Sequence, residues 1–560
     1  MKALKRIAYA ACLSIAFVLS GCSDNELQND ESVISHEDVK TFSSFNVSVE
    51  DSPVTRAHLE NGTQMVWDEE DVIGVYSDKE GVVPFTYAGN NTFTSKKPVS
   101  GTKFYAYYPY NENNVADANN KGTVFFTLPE LFTDDRIANA MPMVAVSNDN
   151  NLHFKQTVGL MHFTLGGEQH ILGVKYESKG HESVAGSMIV KMLDDEPIMS
   201  PTEGNVTTLV KIECDITLGA DETKDFYFPV PAGSYTEGFV LSIETPEGTF
   251  FKSKNAPMDI TRAKIHSFPA FKTDRYSIER ESLVALYNST NGESWTNKEG
   301  WLTDKPLGEW YGVKTDGDGF VSEINLNLNN LSGVLPVEIG NFNRLEYLYI
   351  QGNPELTGNI PSSIGNLYNV KRLEFASNDL TGNIPSSICN LSKLLILNLS
   401  GNKQLTGPIP DNLAGLRMIN RFYIEGCNLT GSIPESIGDI GSGYDPSNHW
   451  IMIGLSRNSL TGPIPASLAK LKNFDSLNLS YNQLTGSIPD EFLSISSLAD
   501  FWINNNNMDG VISKELQACS WWNGSIDITQ NEGHKLTLEE KEDVNIGNIE
   551  DLGNGGTQDW

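Results

Sequence analysis

The sequence predicts a multidomain chain in which an all-β region precedes a right-handed α/β solenoid with a parallel sheet on its concave side. The pattern L-x-x-L-x-L-x-x-N-x-L-x-G-x-I-P recurs from about residue 321 to residue 531, and its closing prolines are spaced by 25, 24, 25, 24, 31 and 24 residues. A fixed period of this length is typical of a solenoid. Between residues 45 and 271, short strand-like runs alternate with turns rich in Gly, Asn, Asp and Pro, as in a β-sandwich.

Each part of the repeat has a physical role. In residues 477–479, two leucines flank a polar residue, so a short strand directs both leucines inward. The asparagine that follows lies at a turn, where its amide can bond to the backbone of its own loop and of the next one. We therefore predict a ladder of asparagines, and since no copy buries its own apolar face, the copies fold only as a stack. The predicted ladder comprises Asn329, Asn353, Asn378, Asn402, Asn458 and Asn482, a weaker copy around Asn506, and a ninth strand at 526–528 that leads to Asn531.

These repeats, above all their L-T-G-x-I-P signature, resemble the plant-specific class of leucine-rich repeats, which also occurs in bacterial surface proteins. The resemblance covers roughly residues 275–535. Two departures stand out. Cys427 occupies a ladder position, and because a thiol lacks the bonding capacity of an amide, we expect a looser turn there. Seven additional residues between Gly438 and His449 predict a loop that leaves the stack.

The first residues predict export. Lys2, Lys5 and Arg6 precede an apolar run over residues 7–19, which is too short to span a bilayer and is typical of a secretory signal. The run ends in Leu-Ser-Gly-Cys22, which resembles a lipobox. The resemblance implies a lipoprotein signal peptide over residues 1–21 and acylation of Cys22, which would hold the protein at a membrane without a spanning helix. A plain secretory signal cleaved nearby is the alternative.

Residues 23–26, Ser-Asp-Asn-Glu, resemble the surface-export signal of lipoproteins in Gram-negative anaerobes related to Bacteroides. The resemblance implies an outer-membrane protein exposed at the cell surface. A solvated linker is the alternative, since residues 22–44 as a whole are predicted to be a polar tether.

Composition restricts the partners. The chain has 40 Lys and Arg against 72 Asp and Glu, a formal charge of −32. Nucleic acid is excluded as a partner because phosphate binding requires a basic face. An anionic bilayer would repel the chain, so we expect contact with the membrane only through the N-terminal lipid. The cysteines outside the signal and lipobox have no metal-like spacing and are predicted to be free, mostly buried thiols.

Residues 45–272 carry motifs of a second family. The segments at 55–56, 67–76, 105–110 and 154–163 resemble the fimbrillin-like family of the same bacteria. The resemblance implies two stacked β-sandwich subdomains, with a break near residue 166. In polymerising members, cleavage after an arginine removes the first strand, and a neighbour's segment fills the groove. Arg56 is the candidate cleavage point here, and the alternative is that it belongs to an early strand.

Residues 273–319 are predicted to cap the repeats. A hinge near 272–278 precedes a short amphipathic helix at 281–287 and then Trp295, Trp301 and Trp310. This segment resembles the N-terminal cap of bacterial arrays of the same class, in which the tryptophans cover the first coil; a sugar-binding platform is the alternative. Residues 316–319 lack the rest of an EF-hand and predict a hairpin turn. Repeats then occupy 320–535, with about nine strands, and an acidic tail occupies 536–560.

The concave face is the predicted binding site, because its side chains are not used by the solenoid core. Between the two apolar residues of successive strands lie Asn325, Tyr349, Glu374, Asn398, Tyr423, Gly454, Asn478, Trp502 and Asp527. Two residues earlier lie Glu323, Tyr347, Arg372, Ile396, Arg421, Met452, Ser476, Asp500 and Ser525. The candidate contacts for a protein, peptide or glycan are Tyr347, Tyr349, Arg372, Glu374, Arg421, Tyr423 and Trp502, chiefly types enriched at binding hot spots. The alternative is that the aromatic side chains only pack against each other along the sheet.

An enzyme is the competing class of protein. The sequence has no H-E-x-x-H, no G-x-S-x-G and no glycine-rich phosphate loop, so it predicts no metal and no cofactor. The acidic run at 68–71 does not suit glycoside hydrolysis, because adjacent residues at a strand end point to opposite faces. The sequence therefore predicts a non-enzymatic, lipid-anchored recognition or adhesion protein. The alternative is a structural fimbrial subunit or tip protein, assembled by strand exchange after cleavage near Arg56.

Overall fold

The computed structural model describes residues 38–50, 67–111, 113–133, 141–192, 196–443, 450–522 and 526–539. The predicted signal peptide, Cys22 and Arg56 lie outside these residues. So do residues 540–560, and residues 444–449 of the insertion. Of the helices described, none is long and apolar enough to cross a membrane.

The N-terminal half is built from strands, as its alternating pattern predicts. In chain order, β1 to β22 are Lys40–Val49, Val72–Ser77, Val83–Tyr87, Thr92–Gly101, Phe104–Tyr108, Val115–Ala116, Thr123–Leu128, Leu131–Thr133, Met143–Ser147, Asn151–Gln156, Val158–Gly166, Gln169–Ser178, Ala185–Met192, Pro197–Thr207, Leu209–Leu218, Thr223–Pro231, Gly233–Tyr235, Phe239–Thr245, Gly248–Lys254, Met258–Ile260, Ile265–Ser267 and Phe271–Lys272.

Two units make up this half, each with its own core, and a third buried cluster that includes Tyr107 and Phe126 joins them. The first is a closed barrel in the order β1-β10-β9-β5-β2-β3-β4, around a core that includes Phe45, Phe85 and Phe104. The second contains the sheets β16-β11-β21, β19-β18-β12-β15-β8 and β14-β13-β7-β6 around Phe163 and Phe228. The N-terminal half is therefore all-β, and its first unit is a barrel where a sandwich was expected.

The chain passes between the two units more than once. Strands β7 and β8 pair with β13 and β15 of the second unit, whereas β9 and β10 return to the barrel. The last crossing lies between β10 and β11, earlier than the predicted break near residue 166, which falls at the end of β11. Strand β1 begins at Lys40, so the end of the predicted tether belongs to the barrel.

A helix shared by both halves joins them. Helix α1 (Arg275–Ser289) begins where the side chain of Asp274 accepts a hydrogen bond from the Ser277 amide at 3.0 Å. Ile278 packs into the second N-terminal core, whereas Leu283 and Leu286 pack into the core of the repeats. The hinge predicted at 272–278 is therefore wrong, because one rigid helix contributes to the two cores. The predicted helix at 281–287 is the second half of α1.

The cap tryptophans close the apolar end of the first coil. Trp295, Trp301 and Trp310 are each 5% exposed or less and belong to the core of the repeats. The ring centroids of Trp295 and Trp301 are 4.7 Å apart, and those of Trp301 and Trp310 are 5.1 Å apart. Buried rings of this kind confirm the capping prediction, and the alternative of a sugar-binding platform is wrong.

The repeats alternate strands with short helices. In chain order, β23 to β40 are Val313–Thr315, Val321–Asn325, Ser332–Val334, Tyr347–Tyr349, Glu355–Thr357, Arg372–Glu374, Thr381–Asn383, Ile396–Asn398, Gln404–Gly407, Arg421–Tyr423, Asn428–Leu429, Ile451–Gly454, Thr461–Pro463, Phe474–Asn478, Gln483–Thr485, Asp500–Trp502, Gly510–Ile512 and Leu536–Leu538. The 3₁₀ helices are Gly292–Ser294, Leu307–Glu309, Val337–Asn341, Ser362–Asn366, Ser386–Asn390, Leu413–Gly415, Glu435–Asp439, Ala466–Lys470 and Asp490–Ser494, and helix α2 is Lys514–Gln517.

The concave sheet has nine strands, in the order β23-β24-β26-β28-β30-β32-β34-β36-β38. Strand β23 pairs antiparallel with β24 through the hairpin turn predicted at 316–319, and the other pairs are parallel. Residues 526–528 are in no named strand, so the ninth strand lies at the cap end of the array. Strand β40 pairs with β39, which places the start of the predicted tail inside the array.

The asparagine ladder is confirmed. Asn402 donates to the carbonyls of Leu399 at 2.7 Å and Phe375 at 2.9 Å, and its Oδ1 accepts from the amide of Leu380 at 3.1 Å. Each such side chain thus joins its own coil to the preceding one. The last rung differs from the prediction, because Gln530 and not Asn531 donates to the carbonyls of Ile503 and Ile528, the equivalent positions.

Cys427 keeps its place in the ladder. Its Sγ lies 3.4 Å from the carbonyl oxygen of Leu399, the equivalent of the bonds that the asparagines make. The flanking amides of Ile424 and Gly426 still bond to the next coil, at 2.8 and 2.9 Å. The loosening expected at this turn is therefore not seen. All four described cysteines are free, but the expectation of mostly buried thiols is wrong, since only Cys389 is fully buried.

We predict that Asn402→Ala destabilises the repeats. The substitution leaves buried backbone groups of two coils without partners, and each such group costs about 1–3 kcal/mol. The free energy of unfolding, measured by urea denaturation, should fall by at least ~2 kcal/mol. Asn390→Ala, at an exposed end of a 3₁₀ helix, is the matched control and should leave the midpoint almost unchanged. Equal effects of the two substitutions would contradict the ladder's role.

A buried carboxyl lies at the junction of the two halves. Glu279 on α1 accepts from the amide of Val321 at 2.8 Å, and its other oxygen has no hydrogen-bond partner within the described residues. Burial raises the pKa of Glu279 to about 7, although the charge of Arg275 opposes the shift. The folded protein thus holds this proton in a pH range where the unfolded chain loses it.

We therefore predict a pH-dependent difference between the wild type and Glu279→Gln. The free energy of unfolding should fall by about 3 kcal/mol as the pH rises from 4.5 to 7, because only the unfolded state ionises there. Glu279→Gln removes this loss, so it should be the more stable protein at pH 7.5 and nearly equal at pH 4.5 in thermal melts. The exposed Glu299→Gln is the control. A stability difference that does not change with pH would refute the assignment.

Candidate partner-binding face

Parallel pairing aligns the predicted concave side chains into two columns. Column A is Glu323, Tyr347, Arg372, Ile396, Arg421, Met452, Ser476 and Asp500. Column B is Asn325, Tyr349, Glu374, Asn398, Tyr423, Gly454, Asn478 and Trp502. Each residue is paired with the next member of its column, so the predicted register is confirmed over eight strands. Asp527 is exposed outside any named strand, and Ser525 lies outside the described residues.

The seven candidate contacts differ in exposure. Arg372, Arg421 and Trp502 are exposed, with 40% of the Trp502 surface accessible. The remaining four are half-buried: Tyr347, Tyr349, Glu374 and Tyr423. All seven therefore present surface to solvent on the concave side.

Near the cap, the two tyrosines of β26 pack against each other. The rings of Tyr347 and Tyr349 are stacked, with centroids 6.2 Å apart and planes inclined by 10°. The ammonium of Lys371 lies 5.9 Å from the ring centroid of Tyr347 and forms an ion pair of 2.8 Å with Glu346. Burial raises the pKa of Tyr349, an effect that the positive charge of Arg372 opposes. These two rings therefore pack against each other along the sheet, which is the alternative role considered for the aromatic side chains. Both rings nevertheless keep an edge exposed to solvent.

The centre of the face is well packed and combines apolar side chains with the carboxylate of Glu425. Ile396 is only 7% exposed although it belongs to column A and not to the core of the repeats, so neighbouring side chains on the face cover it. Tyr423 Oη lies 3.2 Å from the sulfur of Met452. A Cβ atom at Gly454 would lie 2.9 Å from the ring of Tyr423, so glycine allows this ring to lie close to the sheet.

A hydrogen-bonded glutamate beside this centre was missed by the sequence analysis. Glu425 Oε1 accepts from Ser456 Oγ at 2.8 Å and from Asn478 Nδ2 at 3.0 Å. Its side chain therefore links three coils. The sequence does contain a signal for it, because Glu425 is the polar residue that follows the inward-facing Ile424. It lies outside the two strand columns from which the candidate contacts were chosen.

The far end of the face is acidic. Asp500 in column A is exposed, and Asp475, one position before column A on β36, is half-buried. Burial raises the pKa of Asp475, and the neighbouring charge of Asp500 raises it further. Within the described residues, neither carboxylate forms an ion pair. The exposed ring of Trp502 lies on the same strand as Asp500.

The N-terminal half is attached on the opposite side of the repeats. The edge strand β19 meets the first 3₁₀ helix of the array, where the amide of Phe251 donates to Asn341 Oδ1 at 2.8 Å and its carbonyl accepts from Asn341 Nδ2 at 2.9 Å. Glu338 Oε1 accepts from the Ser253 amide at 2.6 Å. Within the described residues, no hydrogen bond joins the N-terminal half to either column. In the part of the chain that the structure describes, Arg372, Arg421 and Trp502 on this face are exposed and so are not covered by the N-terminal half.

Comparison with known proteins identifies the repeats. Residues 344–367, 369–391 and 473–495 match the family model described as Leucine Rich Repeat. A probable leucine-rich repeat receptor-like protein kinase of Arabidopsis thaliana is 38% identical over 77 residues, which are 14% of this chain and 8% of that protein. The present chain thus contains a leucine-rich repeat domain and spans a small part of this curated relative.

Solved structures include similar repeats. The leucine-rich repeat ectodomain of GASSHO1/SCHENGEN3 from Arabidopsis thaliana, in complex with CASPARIAN STRIP INTEGRITY FACTOR 2, is 28% identical, covers 47% of this chain and 30% of that chain, and has a TM-score of 0.41. A plant ice-binding protein is 26% identical, covers 46% of this chain and 86% of that chain, and has a TM-score of 0.37. At these TM-scores, what those proteins bind does not carry over to this one.

Proposed function

We propose that this protein is a recognition or adhesion protein that binds a protein, peptide or glycan partner on the concave face of its leucine-rich repeats. The observation that supports this most is the arrangement of the two columns. They expose arginine, tyrosine and tryptophan side chains in register along one uncovered face, while the N-terminal half is bonded to the opposite side.

The column side chains are not needed to hold the solenoid together, which favours a binding role over a purely structural one. The solenoid is held together by its inward leucines and isoleucines and by the asparagine ladder, none of which lies in the two columns. Column residues can therefore change without unfolding the array. Aromatic and arginine side chains supply most of the binding energy at typical interfaces.

Display at the cell surface is the second part of the proposal. The basic N-terminus, the apolar run and the lipobox-like sequence ending at Cys22 support acylation of Cys22. An acyl anchor would hold the repeats outside the outer membrane of a Gram-negative bacterium. The β-rich N-terminal half, with its fimbrillin-like motifs, would then be the stalk between the lipid and the binding domain.

We expect the triple variant Tyr349→Ala, Arg421→Ala, Tyr423→Ala to lose its partner. The full-length variant is probed on arrays of proteins and glycans. Its signal should be at least tenfold lower than that of the wild type, because the face has lost two aromatic side chains and one guanidinium. Its Tm should fall by only a few degrees, since these side chains are at most half-buried. The control is Tyr368→Ala, Lys393→Ala, two exposed residues next to the 3₁₀ helices. Equal array signals for the triple variant and the wild type would refute binding at this face.

One observation favours the alternative, a fimbrial subunit assembled by strand exchange. Strand β1 closes the barrel between β4 and β10, and its Phe45 and Val47 are buried in the barrel core. Cleavage after Arg56 would release β1 and open a groove between two unpaired strand edges, which a neighbour's strand can fill.

The two functions predict different mature proteins. The recognition protein should retain an acylated Cys22 when purified from the cell surface and should migrate as a monomer on unboiled gels. A mature N-terminus at Ala57, with a ladder of polymers that Arg56→Ala abolishes, would favour the fimbrial subunit instead. N-terminal sequencing and mass spectrometry of the same sample distinguish the two.

A further inference from the structure

We propose that one face of the second N-terminal unit pairs with the same face of another copy of this chain. This face, here called the outer face, is the solvent side of the sheet β14-β13-β7-β6. It is separate from the concave face, so the pairing does not depend on what the repeats bind. Exposed apolar side chains, a scarcity of acidic residues and self-complementary charges support it.

The outer face carries a row of apolar side chains. Val115 on β6 is opposite Phe125 on β7, which is opposite Ile189 on β13, and directly opposed residues of antiparallel strands lie on one face of the sheet. Ile198 on β14 is opposite Lys191 of the same face. Val115 is 53% exposed, Phe125 is 39% exposed and Ile198 is 50% exposed. The row therefore presents apolar surface to water, and a partner that covers it gains free energy.

The second unit does not use this row for its own core. The alternate residues Val124, Phe126 and Val190 point to the other side of the sheet, where they belong to the buried cluster that joins the two N-terminal units. Among the residues that the structure describes, one side of this sheet is thus covered by the chain itself and the other side is open.

The outer face has few carboxylates, although the chain is strongly acidic. Strands β6, β7 and β13 contain no acidic residue, and β14 contains one, Glu203, inside its bulge. The neighbouring sheet of the same unit differs, because Glu244 on its surface pairs with both Lys175 and Lys211. Two copies that each carry a formal charge of −32 repel each other least where carboxylates are few.

Pairing through the edge of this sheet is disfavoured. Strand β14 is the last strand of the sheet, and Pro197, Pro201 and the bulge interrupt the backbone hydrogen bonds that a strand of another copy would need. A second copy therefore approaches face to face, as the two sheets of a sandwich do.

The outer face is complementary to itself. The amide of Asp117, which follows β6, donates to the carbonyl of Thr123 at 2.9 Å, and Thr123 is opposite Lys191. Within the described residues, neither Asp117 nor Lys191 forms an ion pair. A two-fold axis along the strands, between β7 and β13, would place Phe125 over Ile189 of the other copy and bring Asp117 to the row that contains Lys191 of that copy. Each of these contacts would then occur twice.

The size of the outer face predicts a weak dimer. Four strands span ~19 Å at ~4.8 Å each and the six residues of β7 span ~20 Å, so each copy would bury ~400 Å² and the pair ~800 Å². Stable complexes bury about 1,200–2,000 Å². The dimer should therefore form at high concentration, or between copies held side by side, where the effective concentration reaches the millimolar range.

Sedimentation velocity of the full chain tests the pairing. We expect the mass to rise from that of a monomer towards that of a dimer as the concentration approaches about 1 mM. Phe125→Asp with Ile198→Asp should stay monomeric, because the pairing would bury its new carboxylates. Leu131→Asp, at a leucine on β8 that is 50% exposed, is the matched control and should associate as the wild type does. Phe125→Ser with Ile198→Ser is the milder variant if the aspartate variant does not fold.

Charge exchange tests the two-fold arrangement. Lys191→Glu should weaken the association at least tenfold, because it places a carboxylate near Asp117 of the other copy. Adding Asp117→Lys to Lys191→Glu should restore the association. Asp117→Asn, which keeps a side-chain acceptor for the amide of Asn119, should weaken the association with little change in Tm.

Several results would overturn the inference. They are a monomer at every concentration, a dimer that the Phe125 and Ile198 substitutions leave intact, and a double charge variant that associates no better than Lys191→Glu alone. The variant Arg56→Ala should form the same dimer as the wild type, which separates this reversible pairing from assembly by strand exchange. Loss of the dimer in Arg56→Ala would assign the association to strand exchange instead.

Discussion

Stacking of coils is the constraint on which the rest of the structure depends. A single coil buries no core of its own, so the inward residues of one coil are covered only by those of its neighbours, as the continuous core from Leu283 to Leu536 shows. The ladder side chains add hydrogen bonds that run from each coil to the one before it. Together these contacts fix the register between strands, and the register in turn places side chains that are distant in sequence into two straight columns.

The apolar core of the array is covered differently at its two ends. At the N-terminal end, the tryptophans of the cap cover the first coil, and α1 extends from this core into the core of the preceding β-rich unit. The side chain of Asn341 bonds to both backbone groups of Phe251 and so completes an otherwise unpaired sheet edge. At the other end, Trp521 packs against Phe492 and Phe501. Because the N-terminal half is attached through the 3₁₀ helices, the opposite face stays open.

Much of the repeat domain follows from the sequence because its information is local and repeated. The pattern of each copy indicates which residues point inward, so the columns over eight strands, the ladder as far as Asn506 and the hairpin turn at 316–319 could be predicted to the residue. The cap could be predicted because three tryptophans at the end of a solenoid have an apolar surface to cover. The last rung was misplaced because an asparagine was expected there. Gln530 lies 24 residues after Asn506, at the regular spacing of the ladder, and its side-chain amide bonds to the equivalent carbonyl of Ile503.

The N-terminal half was less predictable for a physical reason. Alternation of apolar and polar residues identifies a strand and its inward face but does not specify its partner. The closure of the barrel depends on β1 pairing with β10, more than a hundred residues later in the chain, and the assignment of β7 and β8 to the second unit is equally non-local. The first turn of α1 was taken for a hinge because Ile278 lies outside the apolar pattern of residues 281–287, since it packs into a different core from Leu283.

The concave face combines an ordered centre with exposed arginine side chains. Glu425 is held by Ser456 and Asn478 of later coils, and the absence of a side chain at Gly454 lets Tyr423 lie against the sheet. A side chain ordered before binding loses little conformational entropy when a partner arrives, so its contacts contribute more to affinity. Arg372 and Arg421 are exposed on the same face, and charged side chains at an interface favour a partner that carries the opposite charge at the matching position. In the proposed function, the packed centre would contribute affinity, and the exposed charged side chains would select the partner.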